Sequence, residues 1–303
     1  MMDGVLNIGP VQWQLRLPEG VGLSYSDPAY RGFWSQDVAV AMRAPLVVMP
    51  VSIQREARQI PAAEPLYQGG KNWAMWEEGR DLIFCSGFYE KPAARFYCRL
   101  NRESGAVNLF LDPAREGADP APYESPLRYP IDQILSWGLL AKCGGLILHS
   151  AVAVKDGIGW VFSGRSGAGK STISELCHQA GWRILNDDRV MVFKRGDTWR
   201  VSGTPWHGSG RFSEADEVPL GGVFFIEKSG SEQIVPLAAA DARFSLLDVA
   251  AVPWFEDEWA QGALDAADRF TREALFHRFY FSRNPSAVQA LEQFCDQQVG
   301  VPV

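Results

Sequence analysis

No stretch of the 303 residues stays apolar for long enough to cross a bilayer. The opening Met1-Met2-Asp3-Gly4 carries neither the basic nor the apolar segment that directs secretion. A cytoplasmic protein with no membrane partner is therefore expected. An excess of positive charge is missing too. The 29 Lys and Arg face 36 Asp and Glu, and the resulting charge of −7 argues against a nucleic-acid-binding face. Cysteine is sparse: Cys85, Cys98, Cys143, Cys177 and Cys295 are odd in number, scattered and without metal-ligand spacing, so reduced structural thiols are expected. Internal repeats and low-complexity segments are also lacking. What is present is 47% hydrophobic content, enough for one large core or two smaller ones.

Against that background one segment stands out. Gly164-Arg165-Ser166-Gly167-Ala168-Gly169-Lys170-Ser171 fits the G-x-x-x-x-G-K-[ST] pattern. Its glycines let successive backbone N–H groups converge on phosphate oxygens. Lys170 is placed to reach the β- and γ-phosphates, and the Ser171 hydroxyl to sit on Mg²⁺. The flanks agree with the motif. Trp160-Val161-Phe162 reads as a buried strand ending at the loop, and Ile173, Leu176, Cys177 and Ala180 share one helical face after it. The helix N-terminus, through Thr172, then points its free N–H groups and positive dipole end at the anion.

Two further elements converge on the loop. Ile184 to Val192 reads as a strand interrupted by Asp187-Asp188. A carboxylate flanked by apolar residues on both sides needs a cation or hydrogen bonds, and phosphate-bound Mg²⁺ supplies a cation. Leu146 to Val154 and Ile158 to Phe162 are apolar strands around the turn signal Asp156-Gly157. With those two residues as the turn, facing positions sum to 313, which sets His149 opposite Gly164, beside the phosphate site.

Together these residues resemble the HPr kinase/phosphorylase-related family of serine kinases, whose catalytic core is shared with phosphoenolpyruvate carboxykinase. The resemblance runs through Leu148-His149-Ser150-Ala151-Val152, Gly159-Trp160-Val161, the loop Gly164 to Ser171, and Leu185-Asn186-Asp187-Asp188-Arg189-Val190. It implies a mixed α/β (α+β) fold with a phosphoenolpyruvate carboxykinase-like P-loop core. It also implies ATP and Mg²⁺ as cofactors, with residues 164–172 holding the nucleotide. Asp187 takes the role of general base, Ser171 and Asp188 hold the metal, and His149 and Lys170 complete the catalytic set. The acceptor is then a protein, peptide or small molecule bearing a serine hydroxyl, and a homo-oligomer is possible because relatives form hexamers. Two departures are visible. Arg165 stands where HPr kinases usually carry an acid, and their Glu-x-Arg-Gly-Leu-Gly motif is replaced by Gly203-Thr204-Pro205-Trp206-His207-Gly208-Ser209-Gly210-Arg211, so HPr itself is not indicated as the acceptor.

The chemistry is coherent without the resemblance. A serine hydroxyl is a weak nucleophile and needs a base within hydrogen-bond reach. The γ-phosphoryl needs Lys and a metal to offset its charge. Arg211 is a further candidate for charge stabilisation, whereas Arg278 and Arg283 read as solvated surface. The alternative reading is a non-catalytic nucleotide-binding sensor or assembly protein, which has no need of a second carboxylate near the γ-phosphate. A decarboxylating carboxykinase is the least favoured reading, because the chain is short for one and shows no evident extra metal ligands.

The remainder divides in two. Residues 1–125 form a β-rich region of unknown role, with hairpins around Glu78-Gly79 and Ser104-Gly105 and core tryptophans Trp13, Trp34, Trp73 and Trp76. Pro113 to Pro126 reads as a linker, and residues 126–303 as the catalytic domain. In that domain a helix begins near Pro130, Gly222–Glu227 and Gln233–Leu237 look like paired strands, and Ala238–Ala251 is helical. Phe276–Ser282 is a strand, and Asn284-Pro285 opens the last helix.

Overall fold

The computed structural model describes residues 3–37, 45–70, 73–86, 96–113 and 123–298. Most of the expected linker (114–122), and the hairpin ends at Asn72, Gly87 and Arg95, lie outside the described residues. The fold is mixed α+β with several sheets and few helices. Two compact units are present, Met1–Leu139 and Leu140–Val303.

The first unit is built from strands β1 (Gly4–Ile8), β2 (Val11–Arg16), β3 (Leu23–Ser24), β4 (Trp34–Ser35), β5 (Val47–Arg55) and β6 (Tyr67–Gly69). β7 (Trp73–Glu78), β8 (Asp81–Ser86), β9 (Phe96–Asn101), β10 (Val107–Leu111) and β11 (Tyr123–Glu124) follow. Nine of these strands form one sheet in the order β4-β1-β2-β5-β10-β9-β8-β7-β6, and β11 pairs with β3. The two expected hairpins are β7–β8 and β9–β10. Trp13, Trp73 and Trp76 are buried, as tryptophans that pack a core should be, whereas Trp34 on the short strand β4 is only half-buried. Helix α1 (Ile131–Cys143) starts just after Pro130 and buries Ile131, Ile134, Leu135 and Leu139.

The second unit starts with β12 (Leu146–Lys155) and β13 (Ile158–Ser163), joined by Asp156 and Gly157, both at positive φ, as a type I′ hairpin requires. The facing pairs run from Lys155↔Ile158 to Ser150↔Ser163, all summing to 313. The ladder stops one residue short of His149 and Gly164. Next come α2 (Lys170–Gln179), β14 (Arg183–Asn186), β15 (Arg189–Arg195), β16 (Thr198–Ser202) and β17 (Glu217–Lys228). The chain then continues through β18 (Gln233–Pro236), α3 (Ala239–Leu247), α4 (Asp257–Glu273), β19 (Phe276–Phe281) and α5 (Ser286–Gln298).

Two long strands each serve two sheets. The first half of β12 pairs with β15 and its second half with β13 and β14. Likewise β17 pairs first with β16 and then, in parallel, with β13 and β19. One apolar face, with Val152, Val161, Val223 and Phe225, packs on α3 and α4 through Leu246, Ala263 and Phe270. The other, with Phe162, Phe224 and Phe279, packs on α2 and α5 through Ile173, Cys177 and Leu291.

Two expectations need correction. β17 and β18 do not pair with each other, because β19 lies between them, parallel to one and antiparallel to the other. The long connection that allows this includes α4, whose small apolar stripe Ala260, Ala263, Ala266 and Ala267 is buried although its sequence is polar on average. Ala180 caps α2 and is exposed. The fourth inward position of that helix is taken instead by Ser174, whose hydroxyl donates to the Lys170 carbonyl. Among the described residues no helix is long and apolar enough to cross a membrane, and the five cysteines are free thiols.

Candidate active site

The site lies where the two sheets of the second unit part. β13 ends at Ser163 and releases the glycine-rich loop that runs to Gly169. β14 and β15 are one strand broken at Asp187-Asp188, each half pairing with a different part of β12. His149 sits at the residue where β12 passes from one sheet to the other. Splaying strands leave room between their ends, the general reason ligands sit at such points. A cavity of about 350 Å³ fills this room, and His149, Lys170, Ser171, Thr172, Asp187 and Asp188 all line it. Ser166, Gly167 and Gly169 form its floor, and Gly208, Ser209 and Lys228 complete the wall.

The loop holds its shape through its own backbone. Gly169, at the N-cap of α2, has φ 115°, and a Cβ there would come within 2.7 Å of the Phe281 ring, so both conformation and space require glycine. The Lys170 ammonium donates to the Gly164 carbonyl at 2.8 Å across the loop. Lys170 is only 8% exposed. Burial, abetted by the Arg189 charge, lowers its pKa from the ordinary lysine value against the opposing pull of Asp188.

The two acids differ in surroundings. Asp187 is 3% exposed. Its Oδ1 accepts the Gly208 N–H at 2.8 Å, and its Oδ2 accepts the Gly210 N–H at 2.6 Å. A Cβ on Gly208 or Gly210 would approach Asp187 Oδ2 to 2.9 or 2.7 Å, so only glycine lets the loop close on the carboxylate. Asp188 is more open. Its Oδ1 lies 2.9 Å from His149 Nδ1, and its Oδ2 accepts from Arg189 Nη1 at 2.6 Å. Burial pushes its carboxyl up, but the hydrogen bond from His149 and the charges of Arg189 and Lys170 outweigh that and hold it below the usual carboxylate range. The Asp188 carbonyl is also 3.1 Å from His149 Nδ1. Arg189 Nη1, a donor, lies 3.1 Å from the same nitrogen, so Nδ1 faces two acceptor oxygens and one donor.

Ser171 Oγ and Asp188 are hard oxygen donors of the type Mg²⁺ prefers. A metal that takes most of its ligands from phosphates and water needs only one or two such protein groups. Among the described residues no group of three or more His, Cys, Asp or Glu is placed to hold a metal. Ser171 and Asp188 fit a Mg²⁺ ion that takes its remaining ligands from groups other than these side chains.

Not every expected residue faces this cavity. Gly164, Arg165 and Ala168 line a neighbouring one instead. Arg165 is 84% exposed at its side chain and pairs with Asp248 at 2.8 Å. His207 Nδ1 lies 2.9 Å from the Gly208 carbonyl, within its own loop. Arg278, expected as solvated surface, forms an ion pair with Glu227 and lines the same neighbouring cavity as Arg165. The sequence reading missed the glycine collar around Asp187, although Gly208-Ser209-Gly210 spaces its glycines as alternate backbone donors. It also missed Arg189 and Lys228. The latter donates to the Gly167 carbonyl at 2.6 Å, from a strand distant in sequence.

No curated protein matches the chain. The solved structure of the Hpr(Ser) kinase/phosphatase from Coxiella burnetii is similar over 51% of this chain and 99% of that one, at 10% identity and a TM-score of 0.32. Residues 134–279, which span every residue lining the 350 Å³ cavity, match the family described as SynChlorMet cassette protein ScmC.

Proposed function

We propose that the protein is an ATP-dependent kinase that moves the γ-phosphoryl group to a hydroxyl, most simply a serine hydroxyl, on a protein, peptide or small molecule. One observation carries this reading: a phosphate-type loop with a buried lysine shares a single cavity with two adjacent carboxylates and a histidine. Phosphoryl transfer is mainly positioning and charge neutralisation, and this set supplies both. In the reaction the acceptor oxygen bonds to the γ-phosphorus and its proton passes to the Asp187 carboxylate. The bond from the γ-phosphorus to the β–γ bridging oxygen breaks, and ADP leaves with that electron pair. The N–H groups of Gly208 and Gly210 orient Asp187 and leave lone pairs on both oxygens. Lys170 and the loop amides take up the charge on the transferring group. Ser171 and Asp188 would hold Mg²⁺, which would supply further charge neutralisation for the transfer.

A second reading is a nucleotide-binding sensor without transfer. It is favoured by one fact: both acids already have hydrogen-bond partners within the protein. Incubation with γ-labelled ATP and cell extract separates the two. The kinase reading expects a labelled acceptor with the natural protein and none with Asp187→Asn, whose nucleotide affinity stays near normal. Equal labelling by that variant removes Asp187 from the base role, and no labelling by the natural protein leaves the sensor.

A further inference from the structure

The phosphate loop has a second side. Ser166, Gly167 and Gly169 face the cavity with the acids, whereas Gly164, Arg165 and Ala168 wall another of about 440 Å³. That volume falls within the roughly 300–1,000 Å³ of small-molecule sites. Phe225, Ile226 and Val249 give it an apolar base, and Ser245 on α3 stands at its edge. Its mouth carries two ion pairs, Arg165 with Asp248 and Arg278 with Glu227. On β17, Phe225, Ile226 and Glu227 line this cavity and Lys228 the other one. The two spaces therefore share the loop and the end of one strand.

Their chemistry differs. None of His149, Asp187 and Asp188 lines the 440 Å³ cavity, so the atoms that react are not held there. Its two guanidinium groups are balanced by two carboxylates, which gives no net attraction for a polyanion. An apolar base with both donors and acceptors at the rim suits an uncharged flat ring with polar edges and hydroxyl groups. Planar guanidinium groups also stack on such rings and donate to ring nitrogens.

Resting on the kinase reading above, we propose that this cavity takes the nucleoside end of the phosphoryl donor. The ring lies on Phe225, Ile226 and Val249, and Asp248 and Glu227 accept hydrogen bonds from its amine or from the sugar hydroxyls. The polyphosphate then crosses the loop toward Lys170. Arg165 at the second position of the motif thus serves nucleoside recognition, which accounts for its pointing away from the acids.

Titration calorimetry with ATP and with inorganic tripolyphosphate, each with Mg²⁺, tests this. Ser245→Trp fills the cavity edge and is expected to weaken ATP about tenfold or more while moving tripolyphosphate by less than about twofold. Lys170→Ala weakens both. If Ser245→Trp leaves ATP affinity unchanged, or weakens both ligands equally, the nucleoside placement is wrong. If tripolyphosphate binds Lys170→Ala as tightly as the natural protein, the phosphate reading itself is wrong. A measurement on the natural protein guards against a folding defect in the variant. Backbone amides of residues 245–249 gain protection from hydrogen exchange with ATP but not with tripolyphosphate, and protection by both or by neither overturns the proposal.

Discussion

Gly210→Ala tests the collar around Asp187. The added Cβ would sit 2.7 Å from Asp187 Oδ2, whereas ordinary contact begins near 3.4 Å, so the loop must withdraw by about 0.7 Å. That stretches the Gly210 N–H···Oδ2 bond from 2.6 Å to about 3.3 Å, past the normal limit for such a bond. A hydrogen bond to a charged group is worth about 1.5–3 kcal/mol, and Asp187, 3% exposed, has little water to replace it. The backbone of Gly210 is outside the left-handed region, so conformational strain adds nothing. The expected loss of stability is therefore about 2 kcal/mol, read from urea denaturation. A double-mutant cycle isolates the cause. In an Asp187→Ala background the acceptor is gone, and Gly210→Ala should cost about 1 kcal/mol less than it does alone. Effects that add to within about 0.5 kcal/mol would show that Asp187 does not hold the loop, and the argument for its orientation as a base would fail with them.

Other expectations follow from the same geometry. Gly167→Ala meets open space and pays only for positive φ, about 1–2 kcal/mol, whereas Gly169→Ala also drives into the Phe281 ring; denaturation midpoints should fall further for Gly169→Ala, and equal shifts would refute the close approach. Burial holds the His277 pKa below the ordinary 6.5, and its Nδ1 lacks a hydrogen-bond partner among the described residues. The unfolded chain therefore binds that proton more readily. Stability from the neutral ring is fully present above about pH 6.5 and is lost as the pH falls toward the folded-state value. His277→Phe should flatten the difference in urea midpoint between about pH 5.5 and 7.5, and an undiminished slope would assign it to other groups.

How much of this was readable in advance depends on the range of the interactions. The β12–β13 register followed from one turn because a two-residue hairpin fixes every facing pair, although the ladder stops one pair short of His149 and Gly164. The helix after the loop and the broken strand around the acids were equally local. The position of β19 between β17 and β18 was not, since adjacent strands with a short connection read as a hairpin until something intervenes. Helix α4 escaped notice because its buried stripe is mostly alanine, which carries little hydropathy signal. In the site, Lys170, Asp187 and Asp188 stood out by spacing. The partners that set their behaviour did not: Gly208 and Gly210 reach Asp187 from more than twenty residues away, and Lys228 reaches the loop from about sixty. Arg165 lay in the motif itself, and only the fold shows that it turns outward.

The double duty of β12 and β17 bears on how the protein comes into being. β13, which ends at the phosphate loop, finds its parallel neighbour only when β17 has been synthesised, and β17 in turn is flanked by β19, past residue 275. Pairings of such long sequence separation form late and slowly. A nascent chain therefore lacks the strands that flank this loop until almost the whole second unit has left the ribosome, and, under the proposed function, capture of nucleotide by ribosome-bound fragments of increasing length would report the moment of completion.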